Sequence, residues 1–175
     1  MKDRKLLNIE LGRISADKYK DLPPSGLVVV LDNIRSAHNV GSAFRTADSF
    51  GIDKVFLCGI SAVPPSAEIH KSALGAEDSV PWEHVDDTLE AVRRLQADGY
   101  TVVAVEQTVH SVKLGAFRRD PGRKYALIFG NEVSGVRQDV VDASDLSLEI
   151  PQYGTKHSLN VSVSVGVVLW EMVRR

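Results

Sequence analysis

The 175-residue chain reads as an α/β protein with a mostly parallel sheet and helices on both faces. Three observations carry that reading. Apolar runs rich in valine and isoleucine alternate with amphipathic segments. The runs are continuous rather than alternating, as strands covered on both faces are. Glycine closes two of the amphipathic segments, where a helix C-terminus favours it.

Five segments are the expected strands: 27–32 (LVVVLD), 54–59 (KVFLCG), 101–106 (TVVAVE), 125–130 (YALIFG) and 146–151 (LSLEIP). The segment 39–51 repeats Val40, Ala43, Phe44, Ala47 and Phe50 at helical period and stops at Gly51. Residues 86–99 begin on an aspartate cap and end on glycine, and 134–144 offer Ser134 as a cap. Residues 1–24 form a short extension with one helix, and 25–175 a single domain.

Composition narrows the class. A formal charge of −2 excludes a wholesale basic protein but leaves room for a local basic patch. One cysteine, Cys58, excludes an internal disulfide and a Cys-rich zinc site, and its place at the end of an apolar strand makes it a core residue. The five histidines show no metal-ligand spacing, so no metal is expected. The first residues lack the apolar core of a secretory signal, and no run approaches the ~20 residues of a spanning helix. A reduced, cytoplasmic protein without a membrane partner is the expectation.

Three polar segments follow strands, at the sheet edge where open α/β folds bind ligands. The first, 31–45 (LDNIRSAHNVGSAFR), sets Asn39 at an expected helix N-cap. Arg35, His38 and Arg45 form either a solvated face or a cationic rim for phosphate. The second, 128–136 (IFGNEVSGV), has the G-x-x-x-x-G spacing of a phosphate loop at Gly130 and Gly135. Val136 and Arg137 stand where that loop needs Lys and Ser/Thr, so the phosphate-loop reading fails there. The third, 150–166 (IPQYGTKHSLNVSVSVG), alternates like a strand, yet helical spacing fits its tail better. A helix capped by Ser158 sets Ser158, Ser162 and Gly166 on a small face that lets another backbone approach, and Val161, Val165 and Val168 or Leu169 on an apolar one.

Together these segments resemble the three motifs of the SpoU (TrmH-type) RNA ribose 2′-O-methyltransferases of the SPOUT superfamily, in order, from about residue 26 onward. Segment 39–51 resembles the first motif, with its Asn and an Arg six residues later. Segment 127–136 resembles the second, with its G-x-E core. Segment 150–171 resembles the third, with I-P, S-L-N-V-S and a closing aromatic–Glu pair.

The resemblance implies a C-terminal trefoil knot, a rarity no topology prior would propose. It implies S-adenosyl-L-methionine bound by the knot loops, a tRNA or rRNA substrate, and a homodimer with the closing helix in its interface. By motif position it implies a site of Arg45, Asn39, Ser158, Asn160 and Glu132. Cofactor contacts are expected from the backbone around Phe129, Gly130, Ile150 and Leu159, and substrate contacts from Arg35 and His38. Arginine is effectively always protonated. Arg45 therefore has two open roles: a base when an RNA phosphate perturbs it, or a phosphate clamp. A non-catalytic RNA-binding protein of the same fold and a nucleotide-phosphate-binding α/β enzyme are the competing readings. The basic segment 113–124 is either an RNA footprint or a solvated loop.

Overall fold

The apolar runs assemble into one seven-stranded, wholly parallel sheet in the computed structural model, which describes residues 3–174. The strands are β1 (Leu27–Asp32), β2 (Lys54–Cys58), β3 (Trp82–Val85), β4 (Tyr100–Val105), β5 (Val112–Lys113), β6 (Lys124–Phe129) and β7 (Leu146–Glu149), in spatial order β3-β2-β1-β6-β4-β7-β5. Every residue of β1 is buried. Burial on both faces is why these runs read as continuous hydrophobics.

The helices are α1 (Ala16–Tyr19), α2 (Ala37–Ser49), α3 (Ala67–Ala73), α4 (Ala76–Ser79), α5 (Thr88–Ala97), α6 (Gln138–Ala143) and α7 (Val161–Val173). One face of the sheet packs Leu27, Val29, Leu127 and Phe129 against Val40, Phe44, Ile69, Val165 and Leu169. The other packs Val28, Val30, Ala126 and Ile128 against Val92, Leu95 and Val140. Helices therefore cover both faces, as expected. Tyr19 of α1 ties the N-terminal extension down: its hydroxyl donates to the Ile52 carbonyl at 2.9 Å. The extension's first two residues, and Arg175 at the far end, lie outside the described residues.

Several local expectations are corrected. Two strands were not foreseen. β3 is an edge strand with partly exposed residues, and β5 has only two. The cap of α2 is Ser36, whose Oγ accepts from the Asn39 backbone N–H at 3.2 Å. Asn39 is thus the third helical residue and its side chain is free for other work. Ser134 lies in a turn and α6 starts after Arg137. The cap of α7 is Asn160, not Ser158: its Oδ1 accepts from Ser162 N at 2.9 Å. The helix itself is as expected, and Val161, Val165, Val168 and Leu169 are buried. Gly166 meets no other backbone among the described residues, so the small face finds no partner there. Gly51 follows α2 in the left-handed region, at φ 63°, as a helix stop should.

Candidate functional site

Three loops leave the carboxyl ends of β4, β6 and β7 and border one cleft of about 1080 Å³. They are 106–110, 130–136 and 150–160. Their approach is close enough to dictate residue types. A Cβ on Gly130 would lie 2.0 Å from the Val136 nitrogen and 2.1 Å from the Gly135 carbonyl carbon. Gly135 has φ 69°, and a Cβ there would lie 2.3 Å from Glu106 Oε2. The two glycines that mimic a phosphate loop are explained by the crossing of the 130–136 backbone back over itself, closed by the Asn131–Gly135 pair, and by the approach of the Glu106 side chain.

Glu106 holds the crossing in place. Its Oε2 accepts from Val136 N at 3.1 Å and its Oε1 from Gln107 N at 2.7 Å. The Gln107 amide donates to the His157 carbonyl at 2.8 Å, joining the first loop to the third. Asp32, fully buried at the end of β1, accepts from Thr88 Oγ1 at 2.5 Å and from Arg137 N at 3.1 Å, fixing the start of α6. Neither acid stood out in the sequence. The available signal was a carboxylate closing an otherwise apolar run, in LVVVLD and TVVAVE.

The three polar segments meet beside the cleft. Asn160 Nδ2 donates to Asn39 Oδ1 at 3.2 Å, and Asn39 Nδ2 donates to Glu132 Oε1 at 3.0 Å. Asn39 is 8% exposed, so its amide is held among protein groups. A buried polar side chain satisfied at both ends has one defined orientation.

The cleft is lined by Phe129, Gly130, Ile150 and Leu159, the four expected cofactor contacts, and by Glu132, Ser158 and Asn160. Arg35, His38 and Arg45 are exposed outside it. Arg45 stands about 1.7 turns beyond Asn39 on α2. The five basic residues of 113–124 are all engaged within the chain. Lys113 pairs with Glu149 at 2.6 Å and Arg123 with Asp120 at 3.4 Å. Arg118, Arg119 and Lys124 donate to backbone carbonyls. The solvated-loop reading fits them better than an RNA footprint.

The cleft's charge is one-sided. Glu106, Glu132, Asp142 and Glu149 line it, with no lysine or arginine among the described residues. The Lys113 ammonium and the Ser111 hydroxyl hold the Glu149 carboxyl below the usual carboxylate range. Such a lining suits a ligand carrying positive charge. No group of three or more histidine, cysteine or acidic residues is arranged to hold a metal among the described residues. No helix among them is long and apolar enough to cross a membrane.

Comparison with known proteins adds a family. A model described as the SpoU rRNA Methylase family matches residues 26–170. The chain is 36% identical over 163 residues to a 23S rRNA (guanosine-2′-O-)-methyltransferase, RlmB, of Nitrosomonas europaea, covering 91% of this chain and 60% of the relative. It is 32% identical to a tRNA (guanosine(18)-2′-O)-methyltransferase of Aquifex aeolicus, over 85% of this chain and 69% of that one. The structure of an AdoMet-bound rRNA methyltransferase from Sinorhizobium meliloti superposes with a TM-score of 0.79 at 27% identity, covering 88% of this chain and 59% of that one. The chain spans about 60% of the length of the curated rRNA relatives it matches.

Proposed function

Since the chain belongs to the SpoU rRNA methylase family, we propose that it transfers a methyl group from S-adenosyl-L-methionine to the ribose 2′-OH of a tRNA or rRNA nucleotide. The observation that carries this reading is the Asn160–Asn39–Glu132 chain, which joins three separate motifs at the rim of one cleft.

The cleft fits the methyl donor. Its acidic lining suits a sulfonium cation, and its tight backbone crossing at Gly130 offers main-chain donors and acceptors near Phe129, Ile150 and Leu159. When bound, the donor supplies an already activated methyl group. What remains for the protein is positioning, which is a large part of such a barrier. Ser158 and Asn160 orient the ribose hydroxyl. Asn39 fixes Asn160 and Glu132 in their places. Arg45 and Arg35 present positive charge outside the acidic cleft, where an RNA phosphate approaches, and His38 is exposed as they are. Arg45 either clamps that phosphate or, perturbed by it, takes the hydroxyl proton. The acidic cleft and the basic rim thus divide the two substrates between them.

The same reading includes a homodimer built on α7, a cytoplasmic location and the trefoil knot. The hydrogen bond from Gln107 to the His157 carbonyl brings the 106–110 and 150–160 loops together, as a knot of those loops would require. Exposed Val163, Val167 and Trp170 on α7 support the dimer.

The test is methyl transfer from methyl-tritiated S-adenosylmethionine to total RNA from a strain lacking the protein. Labelled ribose, mapped to one position, is expected. Replacing Arg45 by alanine should reduce labelling at least ~100-fold while donor binding persists. A protein that neither binds the donor nor labels RNA overturns the reading.

A further inference from the structure

The three most exposed large apolar side chains of the described residues sit on three different loops around the cleft. Val109 is 93% exposed, Val133 95% and Tyr153 96%. Val109 and Val133 line the cleft itself, where a bound cofactor would cover them. Tyr153 does not line it, although its neighbour Gln152 does. Tyr153 is thus an aromatic ring at the mouth of the site that the cofactor cleft leaves uncovered.

Its surroundings add to the case. Every residue from Tyr153 to Asn160 is exposed, and Tyr153 makes no hydrogen bond to the described residues. The loop is nevertheless held at both ends. Ile150 packs against the core, and the His157 carbonyl accepts from Gln107. Ser158 and Asn160, the groups assigned to the ribose, follow five and seven positions later on the same loop. Lys156, exposed and without an ion pair to the described residues, lies between them and the ring. A ring, a cation and hydrogen-bonding groups on one segment match the three parts of a nucleotide. Single-stranded RNA is recognised by stacking splayed bases on aromatic side chains while cations hold the phosphates.

We propose that Tyr153 is the stacking platform for a base of the RNA substrate, at or next to the nucleotide whose ribose is modified. The proposal rests on the RNA methyltransferase reading above. It makes Tyr153 a determinant of RNA affinity and of base preference, and gives it no part in binding the methyl donor.

The test compares wild type, Tyr153→Phe and Tyr153→Ala. RNA affinity is read by fluorescence anisotropy with a short fluorescein-labelled single-stranded RNA of mixed sequence, and KM with the RNA that wild type labels. Donor affinity is read by calorimetry and oligomeric state by light scattering. Tyr153→Ala should weaken RNA binding roughly tenfold or more and raise KM in step, while Tyr153→Phe stays within about twofold of wild type. Donor affinity should not move. In Tyr153→Trp, the added indole fluorescence should be quenched by RNA. If wild type methylates RNA and Tyr153→Ala does so with unchanged KM, this inference fails and the function stands. If Tyr153→Ala instead shifts the dimer equilibrium, the ring belongs to a protein interface and the inference fails. A wild type that binds the donor but no RNA overturns both readings.

Discussion

Asn39 and Glu132 are 93 residues apart in sequence, and 3.0 Å separates the Asn39 amide nitrogen from the Glu132 carboxylate. The amide donates to the carboxylate while its oxygen receives Asn160, so its two ends are not interchangeable. Replacing Asn39 by alanine removes both hydrogen bonds at once. Glu132 and Asn160 are exposed enough to turn to water, so the expected cost is about 1 kcal/mol of stability by urea denaturation. Asn39→Asp should be worse at neutral pH, because it sets a second carboxylate against Glu132.

Gly130 admits no side chain without moving the loop crossing. Gly130→Ala should cost about 1–3 kcal/mol, as overpacking does. It should also weaken binding of S-adenosylmethionine by at least about tenfold, read by calorimetry on protein shown to be folded.

Cys58 is fully buried, and that burial pushes its thiol up to about 12, with the Thr88 hydroxyl offsetting only part of the effect. Alkylation at pH 8 should leave the folded protein unlabelled and label it fully in denaturant. The folded state holds its proton more tightly, so the contribution to stability is complete below the unfolded value of 9.0 and is lost as pH rises toward about 12. Cys58→Ala should flatten that alkaline decline in a pH series of unfolding curves.

The exposed strip of α7 runs through Val163, Val167 and Trp170, with Trp170 beside Phe50 at 6.3 Å between ring centroids. Trp170→Glu places a charge in the centre of the proposed dimer contact. Light scattering should report a dimer for wild type and a monomer for the variant, with little change in melting temperature.

Much of this was legible beforehand. Buried parallel strands announce themselves as apolar runs, as β1, β2, β4 and β6 do, while β7 (LSLE), with only Leu148 fully buried, showed through its two leucines. The edge strand β3 mixes Trp82 and His84, both exposed, with buried Val85, and β5 is two residues long, so neither had a pattern to read. Residues 158–166 alternate because α7 puts valines on both its buried and its exposed faces, and period alone could not separate that from a strand. At the site, motif residues were visible because polar groups stood at strand ends. Their partners were not, since hydrogen bonds spanning 93 and 121 residues leave no trace in local sequence. Caps were the weakest reading. Ser36 and Asn160 are good caps, but Asn39, Ser134 and Ser158 were equally plausible by type, and only backbone geometry decides among neighbours.

Asn160 closes the first turn of α7 with its oxygen and reaches Asn39 with its nitrogen. One amide therefore touches both the helix start and the site, and couples fraying of the one to loosening of the other. Native-state hydrogen exchange should show the Ser162 amide, which donates to the Asn160 oxygen, opening more readily once Asn39 is replaced by alanine. A ligand that steadies one end of that amide steadies the other.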